Sequence, residues 1–151
     1  MPRKWMILAA VMVSVTALTV GIAGADDEDS PLHKIMEKVQ AKNLVILKGV
    51  RTKVAFVKSQ KDVAVSAEEL VKLAKQAREL GGDYIKKAKD VPNPAARWNE
   101  LMDNFASSSD HLAKVAGKPT ATHEQAKESF AAVKKACADC HKDFRVEDEG
   151  F

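Results

Sequence analysis

Thiols, glycine, proline and aromatic rings are all scarce in this chain of 151 residues, which holds two cysteines, seven glycines, five prolines, two tryptophans, one tyrosine and five phenylalanines. No arginine-rich or aromatic-interleaved stretch is present, so the usual marks of nucleic-acid binding are missing. Fixed-period repeats and low-complexity arrays are absent, and strand-like alternation does not occur beyond the first residues. Paired carboxylates, a nucleophile elbow and a phosphate loop are also lacking, which gives no case for an enzyme. What remains is rich in alanine and lysine, and with 46 % apolar residues it suits a globular, all-α domain better than a disordered tail.

The chain begins with a leader-like segment. Arg3 and Lys4 precede an apolar run from Trp5 to Val20, and Ala23-x-Ala25 offers a cleavage site for signal peptidase. The expected division is therefore a signal peptide over 1–25 and a domain over 26–151, opening on Asp26-Asp27-Glu28-Asp29. If the leader stays, its apolar run is long enough to anchor the chain in a membrane; once cleaved, it leaves no stable membrane association. Removing it takes two basic residues and no acidic ones, so the formal charge falls from +3 to +1. Export places the thiols in an oxidising compartment, where something must consume them.

Four segments of helical period follow. The first is expected from Pro31 to about Lys58, with Leu32, Met36, Val39, Ile46, Val50, Val54 and Val57 inward, Asn43 as the polar interruption, and a polar connection at Ser59 to Asp62. Ser66 and Glu69 resemble a capping box for the second, whose stripe is Leu70, Leu73, Ala77, Leu80, Tyr84 and Ala88, with a weakening or an end at Gly81-Gly82. Asn93 and Pro94 open the third, with Trp98, Leu101, Met102, Phe105, Leu112 and Val115 inward. Thr122 to Gln125 starts the fourth, whose stripe is Ala126, Phe130, Val133, Cys137, Cys140 and Phe144. Short connections favour an antiparallel, up-down-up-down four-helix bundle. His111 and His123 read as surface or capping residues.

Both cysteines lie in Ala-Cys-Ala-Asp-Cys-His-Lys-Asp-Phe-Arg, 136–145, near the C-terminus. On a helix Cys137, Cys140 and His141 share one side, the side that Phe130 and Val133 assign to the core. This is the spacing of c-type haem attachment: two thiols add to the porphyrin vinyl groups and the adjacent imidazole reaches the iron. A redox dithiol normally opens a helix after a strand. Structural zinc needs a second ligand pair that His33, His111 and His123 do not form, and a plain disulfide needs no histidine beside it.

Cys137 to Arg145, on the last of four helices, resembles the Cys-x-x-Cys-His-x-x-(Phe or Tyr)-Arg signature of class II c-type cytochromes, the cytochrome c′ and cytochrome c556 group. The likeness extends over nearly all of Leu32 to Arg145, including Trp98 early in the third helix. It implies one haem c, attached covalently through Cys137 and Cys140 near the C-terminus, with His141 on the iron. Where Arg-Gln often precedes the family's distal position, this chain has Leu32 and His33.

The resemblance matches Met36 to the sixth iron ligand of the c556-type members, whereas c′-type members carry an apolar residue there and leave the iron open to nitric oxide or carbon monoxide. A methionine in a bundle core is otherwise a gap filler, and His33, one turn earlier, is a further candidate ligand. Arg145 is implied near a haem propionate, although a guanidinium there also suits an exposed helix end. The function expected is single-electron transfer by an exported, periplasmic monohaem cytochrome that docks weakly on redox partner proteins, helped by Lys134, Lys135 and Lys142. The alternative is a five-coordinate gas-binding protein. The family also forms homodimers through its first two helices, yet the stripes here show no separate exposed apolar seam.

Overall fold

A computed structural model describes residues 30–145; the expected leader over 1–25 and the acidic stretch Asp26 to Asp29 lie outside the described residues. These residues form an all-helical bundle of five helices: α1 (Pro31–Gly49), α2 (Lys53–Glu79), α3 (Gly82–Lys87), α4 (Pro94–Ala116) and α5 (His123–Phe144). Among the described residues no helix is long and apolar enough to cross a membrane.

The helix starts follow local chemistry. Ser30 accepts a hydrogen bond from the His33 amide with Pro31 in the first turn of α1, and Thr122 and Gln125 form a reciprocal capping box at α5, each satisfying amides that a helix leaves unpaired. Asn93 does precede α4, but in a left-handed conformation (φ 47°) and without a side-chain cap. Pro94 supplies the preset first turn instead.

Two expected boundaries are corrected. The first long helix does not run to Lys58. It ends at Gly49, and Thr52 caps α2 by accepting from the Ala55 amide at 3.1 Å. Gly49 is required there: a Cβ would lie 2.4 Å from Val63 Cγ2, so only glycine lets the turn close onto α2. Consequently Val54 and Val57 face solvent, 64 % and 71 % exposed. The polar stretch from Ser59 to Asp62 lies inside α2, marked by non-helical dihedrals at Ser59 (φ −120°, ψ 16°). There the Ser59 hydroxyl donates back to the Ala55 carbonyl at 2.7 Å, a contact that bends helices. Ser66 and Glu69 sit mid-helix. Ser66 is buried, and Glu69 pairs with Lys42 of α1, which holds its carboxyl below the ordinary range.

Of the two readings at the double glycine, the helix end is the one observed. α2 stops at Glu79, and Gly81 lies under the Trp98 ring, where a Cβ would meet Cε2 at 2.3 Å. Trp98 is 2 % exposed, and its indole N–H donates to the Arg78 carbonyl at 3.0 Å, one of the acceptors a helix end leaves over. Tyr84 stacks on the same indole and Phe144 meets it edge-on, with centroids 5.2 Å apart. α2 packs on α1 and α4, and α4 packs on α5. No comparable packing joins α1 to α5.

Candidate haem-binding site

The last helix carries the thiols as its sequence period requires. Phe130, Val133, Ala136, Cys140 and Phe144 are buried, and Cys137 packs half-buried against that core. His141 departs from the inward expectation. It is exposed, on the flank of the stripe, because it lies one residue, about 100°, round the helix from Cys140. Both cysteines are free thiols. The three groups thus share one side of α5, grading from the core outward.

Their electrostatics separate the candidate chemistries. Burial pushes the Cys140 thiol up to about 12, with Cys137 and Asp143 adding to the effect and Arg97 opposing it. Burial also raises Cys137, against a lowering hydrogen bond from Asn43. Redox dithiols need a depressed pKa at a helix N-terminus, so these protonated thiols late in a helix have the opposite character. His141 is shifted down, first by desolvation and then by the Arg145 charge, which favours the neutral imidazole, the form that donates to a metal. Among the described residues no group of three or more His, Cys, Asp or Glu side chains is arranged to hold a metal ion, which leaves the zinc reading without a ligand set.

Met36 is half-buried on the core-facing side of α1, packed against the apolar cluster. His33 turns the other way: its side chain is 41 % exposed and its Nε2 lies 3.9 Å from Glu37. Seven residues beyond Met36 stands Asn43, whose Oδ1 is buried without a hydrogen-bond partner, an arrangement that costs about 1–3 kcal/mol when unrelieved. Arg145 caps α5, exposed, with its backbone N–H on the His141 carbonyl at 3.1 Å. Of the three lysines, Lys134 lies 5.5 Å over the Phe130 ring, Lys135 pairs with Asp139 at 2.6 Å, and Lys142 is exposed.

Two residues of this end were not singled out from sequence. Arg97, at the start of α4, donates to Asp143 at 2.8 Å and to Glu100 at 3.0 Å, fixing the last turn of α5. With Asp90, Val91 and Pro92 they line a hollow of about 320 Å³. A second hollow, of about 540 Å³, lies between α4 and α5 near His111 and Glu128. Neither is lined by Cys137, Cys140, His141 or Met36. Chemistry marks the site, and not a cavity.

Two thiols and an imidazole thus stand on one side of the last helix of an all-helical bundle. Residues 33–145 match the family described as Cytochrome C'. The chain belongs to that family, the class II c-type cytochromes, and haem is the cofactor the family implies. No curated protein and no solved structure shows a significant match.

Proposed function

We propose that this protein is an exported electron carrier. Residues 1–25 are its cleaved leader and 26–151 its cytochrome domain, periplasmic once released. In this reading α1, α2, α4 and α5 form the antiparallel up-down-up-down bundle and α3 is a short interruption. Cys137 and Cys140 would hold one haem covalently, His141 and Met36 would donate to its iron, and Arg145 would offer its guanidinium to a propionate. The observation that supports it best is the side of α5 shared by two free thiols and an imidazole, inside the family match.

When bound, the haem supplies an iron that gains and loses one electron. The chain's residues set the conditions. His141 offers a neutral nitrogen; Met36 offers a thioether that favours ferrous iron; Phe130, Val133 and Phe144 keep the buried side of α5 dry. We assign no enzymatic activity. Lys142 and its neighbours suit an acidic redox partner at a small, transient interface.

The test uses the full chain made in a host that attaches haem. Low-spin spectra in both oxidation states, and resistance of the reduced protein to carbon monoxide, are expected. Met36→Ala should turn the spectrum high-spin and admit carbon monoxide. Rapid, complete reaction of the parent protein would instead establish the open-faced, gas-binding alternative. A mature mass without haem would overturn both.

A homodimer through α1 and α2 belongs to the same proposal. Among the described residues all six exposed large apolar side chains, Leu44, Val45, Leu47, Val54, Val57 and Val65, lie on these two helices, a surface that stripe periodicity did not reveal. Sedimentation of the purified protein reads the state directly.

A further inference from the structure

From Ala41 to Lys61 the chain carries six basic residues, Lys42, Lys48, Arg51, Lys53, Lys58 and Lys61, and no acidic one. The other 18 of its 24 basic residues are outnumbered by its 21 acids, so the positive balance of the whole sequence resides here. Lys42 pairs with Glu69 of α2; the other five have no carboxylate partner among the described residues. The same stretch holds five of the six exposed large apolar side chains of the described residues, Leu44, Val45, Leu47, Val54 and Val57.

This stretch covers the end of α1, the turn and the start of α2, and each helix repeats one pattern. Leu44, Leu47 and Lys48 stand at i, i+3 and i+4, as do Val54, Val57 and Lys58, so on each helix two aliphatic side chains and an ammonium share a face. Both faces look into solvent: Leu44 and Leu47 are 47 % and 48 % exposed, and the two lysines are exposed with them.

We propose that the α1–α2 turn docks the released protein, weakly and reversibly, on an anionic phospholipid surface. Aliphatic side chains enter the headgroup boundary while basic groups meet the lipid phosphates, each cation near the surface adding about fivefold in affinity. A tight protein partner takes aromatic anchors and a pocket. The one aromatic ring of the stretch, Phe56, is buried, and neither hollow described above is lined by any of these residues. A second copy suits the apolar side chains but not the charge, because a two-fold contact here sets like cations against each other. The homodimer proposed above and a bilayer therefore compete for this turn, and the charge favours the bilayer.

The placement leaves the haem site accessible. His123, at the start of α5, reaches the Val50 carbonyl in this turn at 2.8 Å, and His141 lies about 27 Å further along that helix at 1.5 Å per residue. Docked by the turn, the protein carries Cys140 and His141 at the end remote from the lipid.

The experiment sediments the full chain, made in a host that attaches haem and purified with its leader removed, with vesicles of phosphatidylcholine alone or mixed with phosphatidylglycerol. The expected result is capture by the mixed vesicles at low salt, none by the neutral ones, and release in molar salt, which screens these charges within roughly 3 Å. Lys53→Gln with Lys58→Gln should weaken capture about 25-fold, and Val54→Ser with Val57→Ser several-fold. Lys86→Gln with Lys89→Gln removes the same charge from α3 and should leave capture unchanged. All six positions are exposed, so the melting temperature should hold. Equal capture by neutral vesicles, capture that survives molar salt, or an equal loss from the α3 pair overturns the inference. A dimer that ignores mixed vesicles overturns it in favour of a second copy, and binding of polyglutamate without binding of vesicles overturns it in favour of an acidic protein. The haem reading is tested separately: a chain without haem mass that still adsorbs keeps this inference and loses that one.

Discussion

The two ends of the bundle are held together by different means. Where α5 begins, the chain ties itself with polar contacts between distant segments. Gln60 of α2 donates both amide hydrogens, to the carbonyls of Ala116 (2.8 Å) and Lys118 (2.7 Å). His123, its side chain only 13 % exposed, reaches the Val50 carbonyl at 2.8 Å through Nε2; a carbonyl only accepts, so that nitrogen carries the hydrogen. Where α5 finishes, the contacts are aromatic and ionic: Trp98 between Tyr84 and Phe144, and Arg97 on Asp143. One end closes with its own backbone acceptors. The other is built around Cys140 and His141, which the proposed cofactor would join.

Trp98→Ala tests that contrast most severely. It removes a buried indole, the hydrogen bond to Arg78 and the cover over Gly81, a class of truncation that costs about 3–5 kcal/mol. Denaturant melts should show that loss. Because the indole touches Phe144, three residues beyond His141, the haem spectrum should also change. A melt lowered with an unchanged spectrum would mean that this end does not shape the site.

Gln60→Ala is the milder counterpart at the opposite end. Two hydrogen bonds to helix-end carbonyls are lost, worth about 1–2 kcal/mol together. The midpoint potential and the visible spectrum should not move. If they do, the two ends are coupled through the helices and the contrast fails.

What the sequence made legible follows the same division. Ser30, Pro94 and the Thr122–Gln125 box announce their helices because capping acts within three residues. The thiols and His141 stand out because the spacing that c-type haem attachment requires is confined to five consecutive residues. The break at Val50 to Thr52 was hidden: Val50, Val54 and Val57 keep an apolar helical period through it, and the turn is set by Gly49 meeting Val63, a tertiary fact. Ser66 and Glu69 mimicked a cap that burial and Lys42 had already claimed for other uses. His123 read as a surface or capping residue because its partner lies 73 positions away. Asn43 was visible as a polar interruption, but the burial of its unpartnered Oδ1 was not, since no local pattern says what surrounds a core position.

The smallest expected effect comes from Asp143→Asn. The carboxylate accepts from Arg97 in a half-buried pair, and Arg97 retains Glu100 when Asp143 is neutralised, so little stability should be lost. Its charge nevertheless reaches the Cys140 sulfur, where Asp143 raises the thiol pKa and Arg97 lowers it. Deleting the negative member leaves the positive charge of Arg97 unopposed at the sulfur, which favours an added electron. The midpoint should therefore rise slightly while the melting temperature holds. The shift should shrink in high salt, because a pair this close to solvent is screened over roughly 3 Å at 1 M ionic strength. A midpoint that falls would show that Arg97 swings away once its partner is neutral, so that the ion pair acts on the haem through position and not through charge.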